Sequence, residues 1–239
     1  AGCLFTDKTY TGDLILNKQT DVAGIGGGWT EITGDLVING DHATDPITKL
    51  FNLRDVTKVG GSVKLLDCKH LIYPEHLAKL DTIGGDLEID NYDKADQGAT
   101  FLQDLDGAMI GGQLKLSNNP YLLSLAGIEK MDVDDVFLHS NSALSDITDM
   151  AGITELQGFY CHNNNALANL TGLDGLHTIY GRLLIRANNS LVNLFGLENL
   201  QHIGGDVLIT WNGALATLEG FNNLKTLGGN LTIRDNGAL

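Results

Sequence analysis

A repeat constrains this chain more than anything else in it. A short Gly-x-Leu-x-Ile pattern recurs and puts a first apolar residue at Leu14, Leu36, Val63, Leu87, Leu114, Val136, Phe159, Leu183, Val207 and Leu231. Successive copies lie 22, 27, 24, 27, 22, 23, 24, 24 and 24 residues apart. Ten copies near one period describe a solenoid, because a unit this short cannot bury its apolar face alone and must stack on its neighbours. The clearest unit, 181–205, reads GRLLIRANNSLVNLFGLENLQHIGG. Its Leu183 and Ile185 alternate inward around an outward Leu184, which is strand periodicity. Leu191, Leu194, Leu197, Leu200 and Ile203 then follow at intervals of three, fitting short arcs around a core. A helix would need 3-4-3-4 spacing, and the double glycine disfavours one. The fold expected is an all-β solenoid, a parallel β-helix of about ten coils and ~24 residues per coil, resembling leucine-rich repeats in its columns. Coils stacking at about 4.8 Å make a rod of roughly 45 Å, and the inward columns account for 39 leucines. No linker, charge run or composition shift divides the chain, so residues 1–239 read as one domain.

Four further columns run in phase with the strands. Asn119, Asn141, Asn164, Asn188, Asn212 and Asn236 each follow the second inward apolar residue by three. An asparagine there can bond the backbone of its own turn and of the neighbouring coil, so this column reads as structural. Mid-coil glycines at Gly107, Gly127, Gly172, Gly196 and Gly220 mark positions expected to need φ > 0, and strand-entry glycines recur at Gly61, Gly85, Gly112, Gly205 and Gly229. The aspartates after the strand-opening glycine, Asp13, Asp35, Asp86 and Asp206, with Asp135 in phase, match an ordinary Gly-Asp turn signal. Segments 40–60 and 90–110 are longer and less regular, with His42, Pro46, Tyr92 and Phe101, and read as loops protruding from the rod.

Thirty acidic against fifteen basic residues give a net charge of −15, which argues against nucleic acid and against docking on anionic lipid. Hydrophobic content of 43% against 19% charged is globular composition. Three cysteines are too few for a disulfide scaffold. No stretch approaches the ~20 apolar residues of a transmembrane segment.

Units such as GDVLITWNGALATLEGFNNLKTLGG at 205–229 resemble repeats of the receptor L-domain family. That family includes ligand-binding domains of insulin- and EGF-receptor type kinases, fungal GPI-anchored cell-wall proteins and many microbial surface proteins. The resemblance covers essentially all ten coils and is strongest from about Gly112 onward. It implies a right-handed β-helix, an extracellular or cell-surface location and no enzymatic activity. It implies no particular ligand, because the family recognises different partners with different faces. Family members usually pin the first coil with a disulfide. Here Cys3 is placed for one half, while Trp29 stands roughly where the other half is expected.

Cys161 falls in an inward column with Ile185 and Ile209 and reads as a buried thiol acting as a small hydrophobe. Cys68 is the one candidate partner for Cys3, and the sequence leaves that pairing open. Ala1-Gly2-Cys3 matches the tail of a bacterial lipoprotein cleavage signal; a secretory signal removed before Ala1 is the alternative. Sequons stand at Asn169, Asn188 and Asn230. Asn188 belongs to the inward ladder and is expected to be inaccessible, whereas Asn169 and Asn230 fall on outward positions and are candidate glycan sites. The chain stops in mid-coil at Leu239 without a polar capping repeat, so either it continues beyond 239 or another molecule covers that end. Continuation is the expectation, with end-to-end contact at this coil as the alternative.

The outward middle residues of the ten strands are Ile15, Val37, Lys64, Glu88, Lys115, Phe137, Tyr160, Leu184, Leu208 and Thr232. Four successive coils present Phe137, Tyr160, Leu184 and Leu208 as one apolar and aromatic stripe. The neighbouring outward column brings His139, His162, Arg186, Thr210 and Arg234, with Trp211 beside it. This composition is that of an interface. The candidate partner-binding residues are therefore Phe137, Tyr160, Leu184, Leu208, His139, His162, Arg186 and Trp211; intramolecular cover of the stripe is the competing reading. His139 and His162 should be adjacent, but two histidines fall short of the three protein ligands of a catalytic zinc site, so no metal or cofactor is assigned. No G-x-S-x-G, H-E-x-x-H or P-loop occurs, and no catalytic residues are assigned. The function expected is a non-enzymatic cell-surface recognition or adhesion module for a protein or glycan. A structural subunit that stacks with copies of itself in a wall, sheath or filament is the alternative, and a polysaccharide-active β-helix enzyme the least favoured.

Overall fold

The computed structural model describes residues 7–72, 74–93, 102, 105, 108–127 and 132–239. Within them the chain is a parallel β-solenoid with a single short α-helix, Gln19–Gly24. Ten strands build one long parallel sheet in unbroken chain order, from Leu14–Leu16 and Leu36–Asn39 to Val207–Thr210 and Leu231–Arg234. The register is the one the repeat dictates. Leu14 faces Leu36, Leu114 faces Val136, Val136 faces Phe159, and Phe159 faces Leu183, which faces Val207. A slip of one residue anywhere would turn an apolar column out to solvent, so the inward leucines lock the stack.

A second wall is made of much shorter strands. It consists of a five-stranded piece from Lys8–Tyr10 to Met109–Ile110 and a four-stranded piece from Glu155–Leu156 to Thr226–Leu227. Between the walls the chain turns in tight steps: Leu197 N–H donates to the Leu194 carbonyl and Leu200 N–H to the Leu197 carbonyl, both at 3.1 Å. Such i→i+3 closures put every third side chain on the same side, which is why Leu191, Leu194, Leu197 and Leu200 are all fully buried. One continuous apolar core runs from Leu14 to Leu215.

The asparagine column is a ladder bonded to both adjacent coils. Asn188 accepts the Asn164 backbone N–H at 2.9 Å and donates from Nδ2 to the Cys161 carbonyl at 3.0 Å. The pattern repeats through Asn119, Asn141, Asn164, Asn212 and Asn236. The residue before each ladder position is left-handed, from Asn118 at φ 55° to Ala187 at 52° and Trp211 at 64°. Cys68 occupies the same place three coils into the rod, with its thiol 3.7 Å from the Ile38 carbonyl. It is buried and free. Cys3 lies outside the described residues, as do Gly107 and Phe101.

The glycines serve two distinct needs. Gly196 has φ +107°, and a Cβ there would collide with the Leu170 carbonyl of the preceding coil. Gly60, the first of a double glycine, has ordinary φ, but a Cβ would stand 2.5 Å from the Thr33 carbonyl oxygen. Close passage of coil over coil, not backbone freedom, excludes a side chain there.

Two expectations are corrected. Segment 40–60 is not simply a protruding loop: Ile47, Leu50, Leu53 and Val56 are fully buried and keep the spacing of three, with a 3-10 turn at Phe51–Leu53. Only the stretch around the exposed His42 stands out from the rod. Within 90–110, Tyr92, Leu102, Leu105 and Ala108 likewise join the core. The helix Gln19–Gly24 was not expected in an all-β chain. It is tied down by Val22 in the core and by the Asn52 amide, which donates to the Val22 carbonyl at 2.8 Å. Among the described residues no helix is long and apolar enough to cross a membrane.

The first coil is pinned by aromatic contacts. Trp29 Nε1 donates to the Ile25 carbonyl, Tyr10 meets the indole edge-on at 5.3 Å, and the Lys8 ammonium sits 3.5 Å over its ring.

Candidate binding face

The long sheet positions the candidate site. Strands Asp135–His139, Gly158–His162, Leu183–Arg186 and Val207–Thr210 lie side by side in register. Phe137, Tyr160, Leu184 and Leu208 therefore form one outward column, each half-buried by its flanks. Phe137 and Tyr160 stack with centroids 4.4 Å apart and ring planes within 4°. Glycine at 158 makes room for this: a Cβ there would lie 2.6 Å from Cε2 of Tyr160. His139 and His162 stack beside them at 3.8 Å and 19°. The stack hinders charging of His162, whose pKa is lowered by burial first, then by His139 and Arg186.

A groove of about 250 Å³ opens on this face, between Glu88, Lys115 and Ser117 on one side and Phe137, His139, Tyr160, His162 and Leu184 on the other. Lys115 lines the groove while its ammonium pairs with the Asp86 carboxylate one coil back, at 2.6 Å. Glu88 in turn stands 4.0 Å from Lys64.

The sequence-predicted residues do not all gather there. Arg186 is exposed at the rim and Leu208 extends the stripe beyond the groove. Trp211 is 49% exposed in its left-handed conformation just past the strand. Thr210, expected on the rim, is buried, and Arg234 is held by Asp235 at 3.1 Å. Sequence reasoning missed Glu88, Lys115 and Ser117 as groove walls and Gly158 as the berth of Tyr160; the one signal in the sequence was a glycine at an outward strand position. It also missed a depression of about 410 Å³ on the second wall. Tyr180, His202 and the bare backbone of Gly204 and Gly228 line it, and the Tyr180 hydroxyl donates to Glu155 at 2.7 Å.

The aspartate column has a backbone role. Asp13 accepts the Asp35 N–H at 2.8 Å, Asp35 the Ser62 N–H at 2.7 Å, and Asp86 the Gln113 N–H at 2.9 Å. Asp206 accepts from Asn230 in the same way. Burial opposes ionisation of Asp86, but Lys115 and the Gln113 amide outweigh it and hold the carboxyl below the usual range. The Asn230 amide leads the same effect at Asp206. These carboxylates tie coil to coil.

Both buried thiols are pushed up to about 12, chiefly by loss of hydration. Asn188 is fully buried, as a ladder residue must be. Asn230 is exposed, whereas Asn169 is half-buried and accepts the Thr171 N–H at 3.0 Å. Among the described residues no three His, Cys, Asp or Glu side chains are grouped to hold a metal ion.

Comparison with protein-family models, with curated proteins and with solved structures gave no significant match.

Proposed function

We propose that this chain is a non-enzymatic recognition or adhesion module of the cell surface or extracellular space, similar to receptor L domains, that binds a protein or glycan through the long-sheet face from Phe137 to Leu208. The observation that carries the reading is the aromatic and apolar stripe, open to solvent on a rigid sheet. Its strands pack chiefly against the strands before and after them. Such a stripe costs solubility, and its composition is that of binding surfaces. Parallel pairing on both sides fixes the backbone beneath each side chain, so less ordering entropy is lost on binding than on a loop.

The test uses an array of defined saccharides and purified surface proteins, probed with the chain, with Tyr160→Asp and Leu184→Asp, and with Tyr180→Ser on the other wall. The chain and Tyr180→Ser should retain the same ligands. The two aspartate variants should lose them while keeping their thermal unfolding midpoint. Retained binding in the aspartate variants, or their unfolding, overturns the reading. Sedimentation over a wide concentration range reads the stacked-subunit alternative, which a strict monomer contradicts.

A further inference from the structure

On the coils from Asp135–His139 to Leu231–Arg234, the two outward columns of the long sheet hold Phe137, His139, Tyr160, His162, Leu184, Arg186, Leu208, Thr210, Thr232 and Arg234, without one carboxylate. That is notable in a chain with thirty acidic residues. The other arginines are each paired with a carboxylate: Arg54 with Asp55 at 3.7 Å, Arg182 with Asp206 at 3.3 Å and Arg234 with Asp235 at 3.1 Å. Arg186 is different. It is exposed, beside His162 in the register and next to Leu184, and it makes no ion pair with any described residue. A guanidinium free of a carboxylate keeps its planar fork of donors available to a carboxylate from outside.

We propose that this groove binds a saccharide bearing a carboxylate, a uronic-acid unit, with its apolar ring face toward Phe137 and Tyr160 and its carboxylate toward Arg186 and the histidine stack. The inference rests on the face proposed above and names the ligand class for it. The groove, about 250 Å³, is at the small end of ligand pockets, a size for one or two sugar rings. Its walls combine aromatic carbon with Ser117, Lys115 and Glu88, the mixture of apolar faces and directional polar groups that a hydroxylated ring requires. Arg186 lies one coil on and two residues along from Tyr160, a diagonal of roughly 8 Å between backbones, so a sugar ring against Tyr160 can direct its carboxylate toward the long guanidinium side chain.

The histidines make binding pH-dependent. The charged or titratable groups facing His162 are His139 from the preceding strand, Arg186 from the following one, and Lys115 and Glu88 across the groove. Burial first, then His139 and Arg186, disfavours protonation of His162 when the groove is empty. A bound carboxylate reverses that balance, so binding takes up a proton and tightens as pH falls.

Isothermal titration at physiological salt, at pH 7.5 and 5.5, tests this with trisaccharides of galacturonate, glucuronate and mannuronate, their methyl esters and hexaglutamate. At least one uronate should bind, about tenfold or more tighter than its ester, and tighter at pH 5.5 than at 7.5. Arg186→Gln should lose about tenfold for the acid and little for the ester, and Tyr180→Ser should change neither. An ester that binds as well as the acid overturns the inference. If that binding is lost in Tyr160→Ser, the face stands as a binding surface without the carboxylate preference. Hexaglutamate binding as tightly as any uronate also overturns it and points to an acidic protein. No saccharide bound, while a protein on the array depends on Tyr160, rejects the ligand class and keeps the face; no dependence on Tyr160 anywhere rejects both.

Discussion

Asn188 bonds the coil before it twice, as acceptor from Asn164 N–H and as donor to the Cys161 carbonyl. Asn188→Ala strands a buried donor and a buried acceptor, so it should cost about 2–4 kcal/mol, measured by urea unfolding. Cys68 fills the equivalent place with one long, weak sulfur contact, and Cys68→Ala should cost about 1 kcal/mol. With both thiols pushed up to about 12, Cys68 and Cys161 should resist alkylation at pH 8 and react only after denaturant is added. Alkylation of either at the rate of a free thiol would contradict the burial described. The asparagine ladder was legible in the sequence because it repeats in phase with the strands. Cys68 stands at the same offset, three residues after Leu65, but the pattern changes residue type there, so its place in the ladder shows only through the shared carbonyl partner type. Berthing of Tyr160 over Gly158 was hidden for a related reason: it depends on a side-chain direction, which column arithmetic does not carry.

At the scale of elements, close passage of coils decides which glycines matter. Gly196→Ala forces a Cβ into the Leu170 carbonyl at positive φ and should cost about 2 kcal/mol or more. Gly24, at the end of the helix, has open space around it, and Gly24→Ala should be neutral or stabilising by up to about 1 kcal/mol. Thermal unfolding of the pair measures the contrast. The Asp86–Lys115 tie has a pH signature. Asp86 ionises below its unfolded value of about 3.9, so the stability it contributes is full above that pH and is lost as pH falls through the folded value. Removing the ammonium in Lys115→Met should move the acid-unfolding midpoint, followed by circular dichroism, to higher pH. The strand register was fully readable from the spacing of apolar residues. Segment 40–60 misled because its extra length hid Ile47, Leu50, Leu53 and Val56, which keep the arc spacing. The helix at Gln19–Gly24 spans too few residues to show a period.

At the scale of the molecule, stacking divides the labour among faces. Inward leucines supply cohesion, and asparagine and aspartate ladders satisfy the backbone between coils. The short-strand wall closes the section, leaving the long sheet free to differ from coil to coil. On that sheet the charged outward positions of the middle coils give way to Phe137, Tyr160, Leu184 and Leu208, and paired charges give way to the lone Arg186. The stripe was legible from sequence because columns in a solenoid are sequence offsets. The groove beside it was not, because its walls depend on side-chain directions, such as that of Lys115 toward Asp86, which sequence offsets do not carry. The account stands or falls on whether this stripe is a binding surface or a covered part of the fold. The most direct measurement is thermal unfolding of Leu184→Asp together with its surface plasmon resonance response to the ligand selected on the array. The account predicts an unfolding midpoint within a degree or two of the parent and loss of the response. A midpoint lowered by many degrees, or a response equal to the parent's, would contradict it.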